Sequence, residues 1–411
     1  MTYKSNSRRN FLKTLTTTTL ISGYSLSRVS EIVGINRGEI SSEDFITATY
    51  GLMDDPRFMN DGPPSPLFNP LDITGNFEIT KIDSSILSAK MSEAIKSSPA
   101  GNCVAWGIPF DIREHIICIK DKPFISIIKP CLGRWIVFLH TSDQYDLKIN
   151  KDGFYEKPFK GIGMLNENLA NYVIIYEDGT EVTLPIRQRH QIGMFQQSWG
   201  ENCIESVANI KPRSLGYNNM ISAEWGTTQT RVEMNDRGTW INWLWAWENK
   251  HPEKPIKALR IDPLTTIPFI IFGISVGDVS SNPLRWESRQ KAIISLRGEI
   301  LLNPKLNENN ILSYIKLDLG QVISVLPRKK YPDQDWQSSY NNKITEDYEN
   351  EMIVEYTAHP DAMFHISDLE PISISDLNKY SSERLLRLIK PANKSVKIRV
   401  IEKKSGKVGP V

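Results

Sequence analysis

The chain has 411 residues, a formal net charge of +1, 40% hydrophobic and 24% charged residues. That is an ordinary globular composition with room for two or three domains. It argues against a nucleic-acid partner, which would call for a basic excess. Beyond the N-terminus no stretch reaches the roughly 20 apolar residues of a membrane-spanning helix.

The N-terminus carries Ser7-Arg8-Arg9-Asn10-Phe11-Leu12-Lys13, followed by a weakly apolar, Thr- and Ser-rich run. Paired arginines ahead of Phe-Leu and a lysine form the pattern of a twin-arginine export signal, with Arg8, Arg9, Phe11 and Leu12 as its recognition residues. We assign residues 1–27 to this signal, which predicts passage through the twin-arginine machinery to the periplasm or cell envelope. Residues 1–27 hold Lys4, Arg8, Arg9 and Lys13 and no acidic residue, so the rest of the chain has a balance of −3. Residues 28–70 are polar and reach Pro63-Pro64-Ser65-Pro66, which reads as a linker and irregular entry segment.

From about Leu71 short β-branched and aromatic runs take over. Strands are predicted at 124–128, 135–139, 172–176, 256–261 and 269–274, with turn signals at Lys151-Asp152-Gly153, Glu177-Asp178-Gly179 and Asn235-Asp236-Arg237-Gly238. Further strands are predicted at 292–296 and 352–356, and residues 395–402 alternate apolar and polar with period two. Helices are expected only at 84–97 and 374–390. The fold class is mainly β: a sandwich over 71–280, a second β-rich region over 281–392, and the start of a third β-domain at 393–411 whose returning strand would open at Val408. Of the four cysteines, Cys103, Cys118, Cys131 and Cys203, two or more are expected as small buried hydrophobes.

Catalytic patterns find little support. Among the six histidines no pair has H-x-H or H-E-x-x-H spacing. His359 and His365 flank Asp361, which reads more readily as a polar loop than as a metal site. His140-Thr141-Ser142-Asp143 holds the residue types of a triad, but neighbours along a strand point to different faces. Glu224 and Glu248 are unremarkable as a glycosidic carboxylate pair. No catalytic and no metal-ligating residue is assigned, and whether the chain is an enzyme stays open.

Binding has more to offer. Four of ten tryptophans fall in Trp240-Ile241-Asn242-Trp243-Leu244-Trp245-Ala246-Trp247. On a strand, Ile241, Trp243, Trp245 and Trp247 share one face. Exposed indoles would stack on a sugar ring, with Asn242, Glu248 or Asn249 supplying polar groups. The alternative, that this face is core, is the stronger and leaves Trp240 or Trp225 as the exposed aromatic. The candidate glycan-binding residues are therefore Trp225, Trp240, Asn242, Glu248 and Asn249.

Four motifs carry a resemblance over roughly 95–280: Gly107-Ile108-Pro109-Phe110-Asp111-Ile112, Arg134-Trp135-Ile136-Val137-Phe138-Leu139-His140, Tyr176-Glu177-Asp178-Gly179-Thr180-Glu181, and Trp245-Ala246-Trp247-Glu248-Asn249-Lys250-His251-Pro252. In this order they resemble the NPCBM-like, galactose-binding-like jelly-roll sandwiches found beside bacterial hydrolase domains. Pro283-Leu284-Arg285-Trp286, Asp318-Leu319-Gly320-Gln321-Val322-Ile323, Tyr331-Pro332-Asp333-Gln334-Asp335-Trp336 and Glu355-Tyr356-Thr357-Ala358-His359-Pro360 look like the N-terminal half of exported PHP-type (polymerase and histidinol phosphatase-like, CehA/McbA-like) metallohydrolases. The His-x-His motif of that family is absent from these 411 residues. The resemblance thus implies a non-catalytic scaffold or ligand-binding portion, with a divalent metal expected only in a downstream domain. A free-standing carbohydrate-binding protein of the cell envelope and a hydrolase with an unrecognised site are the alternatives.

Overall fold

The computed structural model of the protein describes residues 61–82, 84–145, 148–155, 160–161, 163–196, 202–211, 240–297, 315–330, 346–366, 370–379, 384–387 and 395–400. The export signal with Arg8, Arg9, Phe11 and Leu12, the turn at 235–238 and Trp225 lie outside the described residues.

The protein is mainly β. In chain order the elements are β1 (Phe68–Pro70), β2 (Phe77–Glu78), α1 (Ala89–Ala94), β3 (Gly101–Ala105), β4 (Ile108–Ile112), β5 (His115–Ile119), β6 (Phe124–Cys131) and β7 (Trp135–Ser142). There follow β8 (Asn168–Tyr176), β9 (Glu181–Arg187), β10 (Val207–Ala208), β11 (Trp243–Glu248), β12 (Ile256–Pro263) and β13 (Phe269–Gly277). The remainder comprises β14 (Gln290–Arg297), β15 (Ile315–Leu317), β16 (Gly320–Lys329), β17 (Asp347–Ala358), β18 (Met363–Ile366), β19 (Ile372–Ser373), α2 (Ile374–Lys379), β20 (Arg384–Arg387) and β21 (Ser395–Val400). Each apolar run predicted as a strand is one, because β-branched and aromatic side chains pack well on a pleated surface.

Two antiparallel sheets form the sandwich. The larger runs β10-β11-β7-β13-β5-β2 with β1 added on β13, and the smaller runs β6-β12-β8-β9. Ile136, Phe138, Trp245, Phe269 and Ile271 of the larger sheet meet Tyr172, Ile174, Tyr176, Leu259 and Ile261 of the smaller in one core. The opposite face of the larger sheet is covered too. Trp135, Val137, Leu139, Leu244 and Phe272 pack with α1, with the β3–β4 hairpin and with the second β-region, through Leu317, Val322, Val354 and Phe364. This explains why all eight residues of β7 and all nine of β13 are buried. A strand covered on both faces shows a continuous apolar run rather than alternation. Cys103 and Cys118 are buried in that second core as small hydrophobes.

The second region holds a five-stranded sheet, β16-β17-β14-β21-β20, and a small sheet, β15-β18-β19. Three expectations change here. Residues 395–400, expected to open a separate third domain, form β21 and pair with both β14 and β20 of this sheet. Of the helix expected over 374–390, Ile374–Lys379 is helical, whereas Arg384–Arg387 is strand β20. A short apolar run such as Leu385-Leu386 does not itself distinguish helix from strand, and the neighbouring β21 decides. Lastly, Phe68–Pro70 of the expected linker is β1, paired with Ser275–Gly277 of β13.

Candidate functional site

The tryptophan-rich strand lies in the middle of the protein. β11 pairs with β7 from Trp243↔His140 to Glu248↔Trp135. Trp245 stacks on Phe138 with ring centroids 5.4 Å apart. Trp243 donates its indole N–H to the Met194 carbonyl at 2.9 Å. Trp240, expected as an exposed aromatic, is only 7% exposed. It packs against Phe195 and Phe272 and donates to the Asn242 side chain at 3.0 Å. Asn242 is fully buried, and its backbone exchanges hydrogen bonds with Asn209. The correction has a simple cause: the larger sheet is covered on both faces, so neither face of this strand offers a platform.

Asn249 is likewise structural. Its amide donates to the Gly133 and His251 carbonyls, and its oxygen accepts from the Tyr176 hydroxyl and the His251 N–H. Glu248 is the exception. It is exposed, and Oε1 accepts from Arg134 Nε and Nη2 at 3.0 and 2.9 Å. The His140-Thr141-Ser142-Asp143 run separates as strand geometry demands. His140 lies inside β7 rather than at its end, with Nε2 at 2.9 Å from the Gln191 carbonyl and Nδ1 at 3.1 Å from the Tyr172 hydroxyl. Burial drives its pKa down to about 4, so it is neutral. Asp143 accepts from the Ser88 N–H and hydroxyl, and Ser88 in turn caps α1.

A cleft of about 430 Å³ opens where the sandwich meets the second β-region. Arg134, Asp278, Ser280, Asp361, Ser373 and Ser375 give it a polar lining. Leu67, Val279 and Met363 add apolar surface. Arg134 ends the β6–β7 turn, Asp278–Ser280 follow β13, and Asp361 lies in the turn between β17 and β18, so strand ends supply the polar groups. Partial burial raises the Asp361 pKa, but the Ser280 N–H and hydroxyl outweigh it and hold this carboxyl below its ordinary range. It is therefore ionised at neutral pH. Ser373 and Ser375 share a hydroxyl contact of 2.6 Å.

Next to the cleft, through its lining residue Asp361, lies a serine–histidine–aspartate set. Ser281 Oγ lies 2.8 Å from His359 Nε2, and Asp361 Oδ2 lies 3.7 Å from His359 Nδ1. The tautomer is wrong for a general base. The Asp361 backbone N–H donates to Nδ1 at 3.1 Å, so the neutral ring carries its proton on Nε2. Nε2 then donates to Ser281 and cannot take its proton. A metal does not fit either: the backbone N–H occupies the lone pair of Nδ1, and no group of three metal-ligating side chains converges among the described residues. His365 joins none of this; it pairs with Lys316 across β15 and β18.

Elsewhere along the seam the two regions are joined by polar contacts. Half-buried Lys211 turns its ammonium inward onto the Leu317 and Asp318 carbonyls at 3.1 and 2.7 Å. Asp61 Oδ2 accepts from the Lys211 and Trp106 N–H groups. Burial pushes Asp61 up to about 6, against Lys211, and pulls Lys211 down to about 8, against Asp61 and Asp318. Trp106 has φ 55° and Gly107 φ 80° in the β3–β4 turn. The Trp106 indole donates to the Ala208 carbonyl and packs against Trp286 with ring centroids 4.5 Å apart and planes tilted by 39°. The cleft, Ser280, Ser281 and the Lys211 cluster escaped the sequence reading, since their partners are 45 to 150 residues apart. Arg134 after Gly133 and the serine pair after β13 were the available local signals, as polar groups at strand ends.

No family model matches the chain, and no curated protein matches it.

Proposed function

We propose that this chain is the non-catalytic, ligand-binding portion of an exported PHP-type metal-dependent hydrolase, built on a galactose-binding-like sandwich, and that it holds a small polyhydroxylated ligand in the cleft at the seam. The cleft carries this reading. A guanidinium, two carboxylates and three serine hydroxyls provide both donors and acceptors, while Leu67, Val279 and Met363 offer apolar contact to a ring. The mixture suits a sugar, which has hydroxyls at its edges and C–H faces. Any divalent metal belongs to the downstream domain implied by the resemblance. The twin-arginine signal at Arg8 and Arg9 supports export.

A free-standing carbohydrate-binding protein of the envelope would use the same cleft, and sequencing the gene past the Val411 codon for a His-x-His cluster separates the two readings. A hydrolase acting through Ser281 is the weaker reading, because His359 Nε2 already carries a proton.

The test is calorimetric titration with galactose, N-acetylglucosamine and glucuronate. Saturable binding is expected, weakened at least tenfold by Arg134→Ala or Asp278→Asn. Absence of binding to all three, or binding that survives both substitutions, would remove the cleft as the ligand site.

A further inference from the structure

The His359 ring links the two segments that frame the cleft wall. It is fully buried in the turn that follows β17. Nε2 faces the Ser281 hydroxyl at 2.8 Å and the Ser281 carbonyl at 3.2 Å. Nδ1 accepts the Asp361 N–H, while the Asp361 carboxylate is turned to the Ser280 N–H at 2.6 Å and stands 3.7 Å from Nδ1. The first of these bonds, from the Asp361 N–H, depends on Nδ1 having a free lone pair. A second proton on the ring abolishes the first bond, since Nδ1–H and the Asp361 N–H are both donors. It also places a cationic donor 3.7 Å from a carboxylate now occupied with Ser280.

We propose that His359 is a proton-operated latch on the cleft: the neutral ring leaves the Asp361 carboxylate on Ser280, and protonation draws that carboxylate to Nδ1 and frees the Ser280 amide. The proton comes from solvent and no covalent bond changes. The charged groups around the ring are Asp361 on its own turn, Glu287 on the segment before β14 and Asp318 after β15, while Arg134 acts on Asp361 from the sandwich. Burial lowers the His359 pKa and outweighs these acidic neighbours, so the latch is set at neutral pH and releases in acid. Both Ser280 and Asp361 line the cleft, so release reshapes its rim. The effect on a ligand rests on the proposed binding reading; the latch itself does not.

The experiment is a pH series from 8 to 5 on the ligand-free full chain labelled with ¹⁵N, reading the histidine ring nitrogens and the backbone amides. At pH 8 the His359 ring should show the Nε2-protonated tautomer. The Ser280 and Asp361 amides should then shift together with His359, at one midpoint below the ordinary histidine value of about 6.5. In Asp361→Asn the midpoint should fall further and the Ser280 shift should be lost. His359→Gln should leave Ser280 flat, and if that variant does not fold, Asp361→Asn alone decides. An Nδ1-protonated ring at pH 8, or Ser280 and Asp361 amides that do not follow His359, would overturn the latch. Titration of all three without any sugar binding would uphold the latch and discard only the ligand reading.

Discussion

The space between the two sandwich sheets and the seam between the sandwich and the second β-region are both buried, yet they are held by different physics. The first is a layer of interdigitated apolar side chains, with Phe138 stacked on Trp245 and 5.3 Å from Tyr172. The second has an apolar floor, but it also ties chain segments together through Lys211, Asp61, Asp318 and the Trp106 turn. Apolar burial is non-directional and tolerates variation in which residue fills a given space. A buried polar contact is directional and costly to leave unmade. The sheets are therefore joined by volume and the seam by specific partners, and the cleft and the His359 turn sit on the side where partners matter.

The largest expected effect lies in the apolar layer. Phe138 is fully buried, so Phe138→Ala should remove about 3–5 kcal/mol of stability, as cavity-forming core substitutions do. Denaturant unfolding should show a lower midpoint in both regions at once, because the two cores share the larger sheet. Loss confined to one region would mean that they unfold independently.

Next comes the seam. Gly107 has φ 80°, and a Cβ there would lie 2.0 Å from the Asp318 carbonyl oxygen. Gly107→Ala combines a left-handed backbone with a clash against main chain, at a cost of about 3 kcal/mol. Its damage should be local. Hydrogen exchange should accelerate in Gly320–Lys329 before Phe269–Gly277. Equal acceleration in both strands would erase the distinction drawn here.

The smallest effect is electrostatic. The folded Asp61 pKa, about 6, lies above the ordinary value of 3.8, so between these limits the folded chain binds more protons than the unfolded one. Stability contributed by this group is present below pH 4 and is lost as pH rises to about 6. Asp61→Asn keeps the acceptor for the Trp106 and Lys211 N–H groups and removes the titration. Wild type should therefore lose stability relative to the variant, on the order of 1 kcal/mol, as pH rises through that window. A parallel pH profile for the two proteins would show that Asp61 is not held in a desolvated state.

Much of the fold was legible along the chain. Trp135–Leu139, Tyr172–Tyr176 and Phe269–Ile274 declare themselves as strands through runs of β-branched and aromatic residues, a property of neighbouring positions alone. The site was less legible. The sequence pointed to Trp240 and Asn242, which are core, and to Glu248, which reaches the cleft only through its ion pair with Arg134. Likewise His359, Asp361 and His365 were visible as a polar loop, but Ser281, which bonds Nε2 of the His359 ring, is 78 residues away.

By itself, then, the sequence determined the strands and the mainly β class, because these follow from local pattern and hydrophobicity. Only the tertiary structure decided that both faces of the larger sheet are covered, that β21 belongs to the second region's sheet, and that Arg134, Ser280 and Asp361 meet at one cleft. Those outcomes depend on which distant segments pack together. A polar side chain's role is set by the partner that satisfies it in space, and one-dimensional periodicity carries no record of that partner.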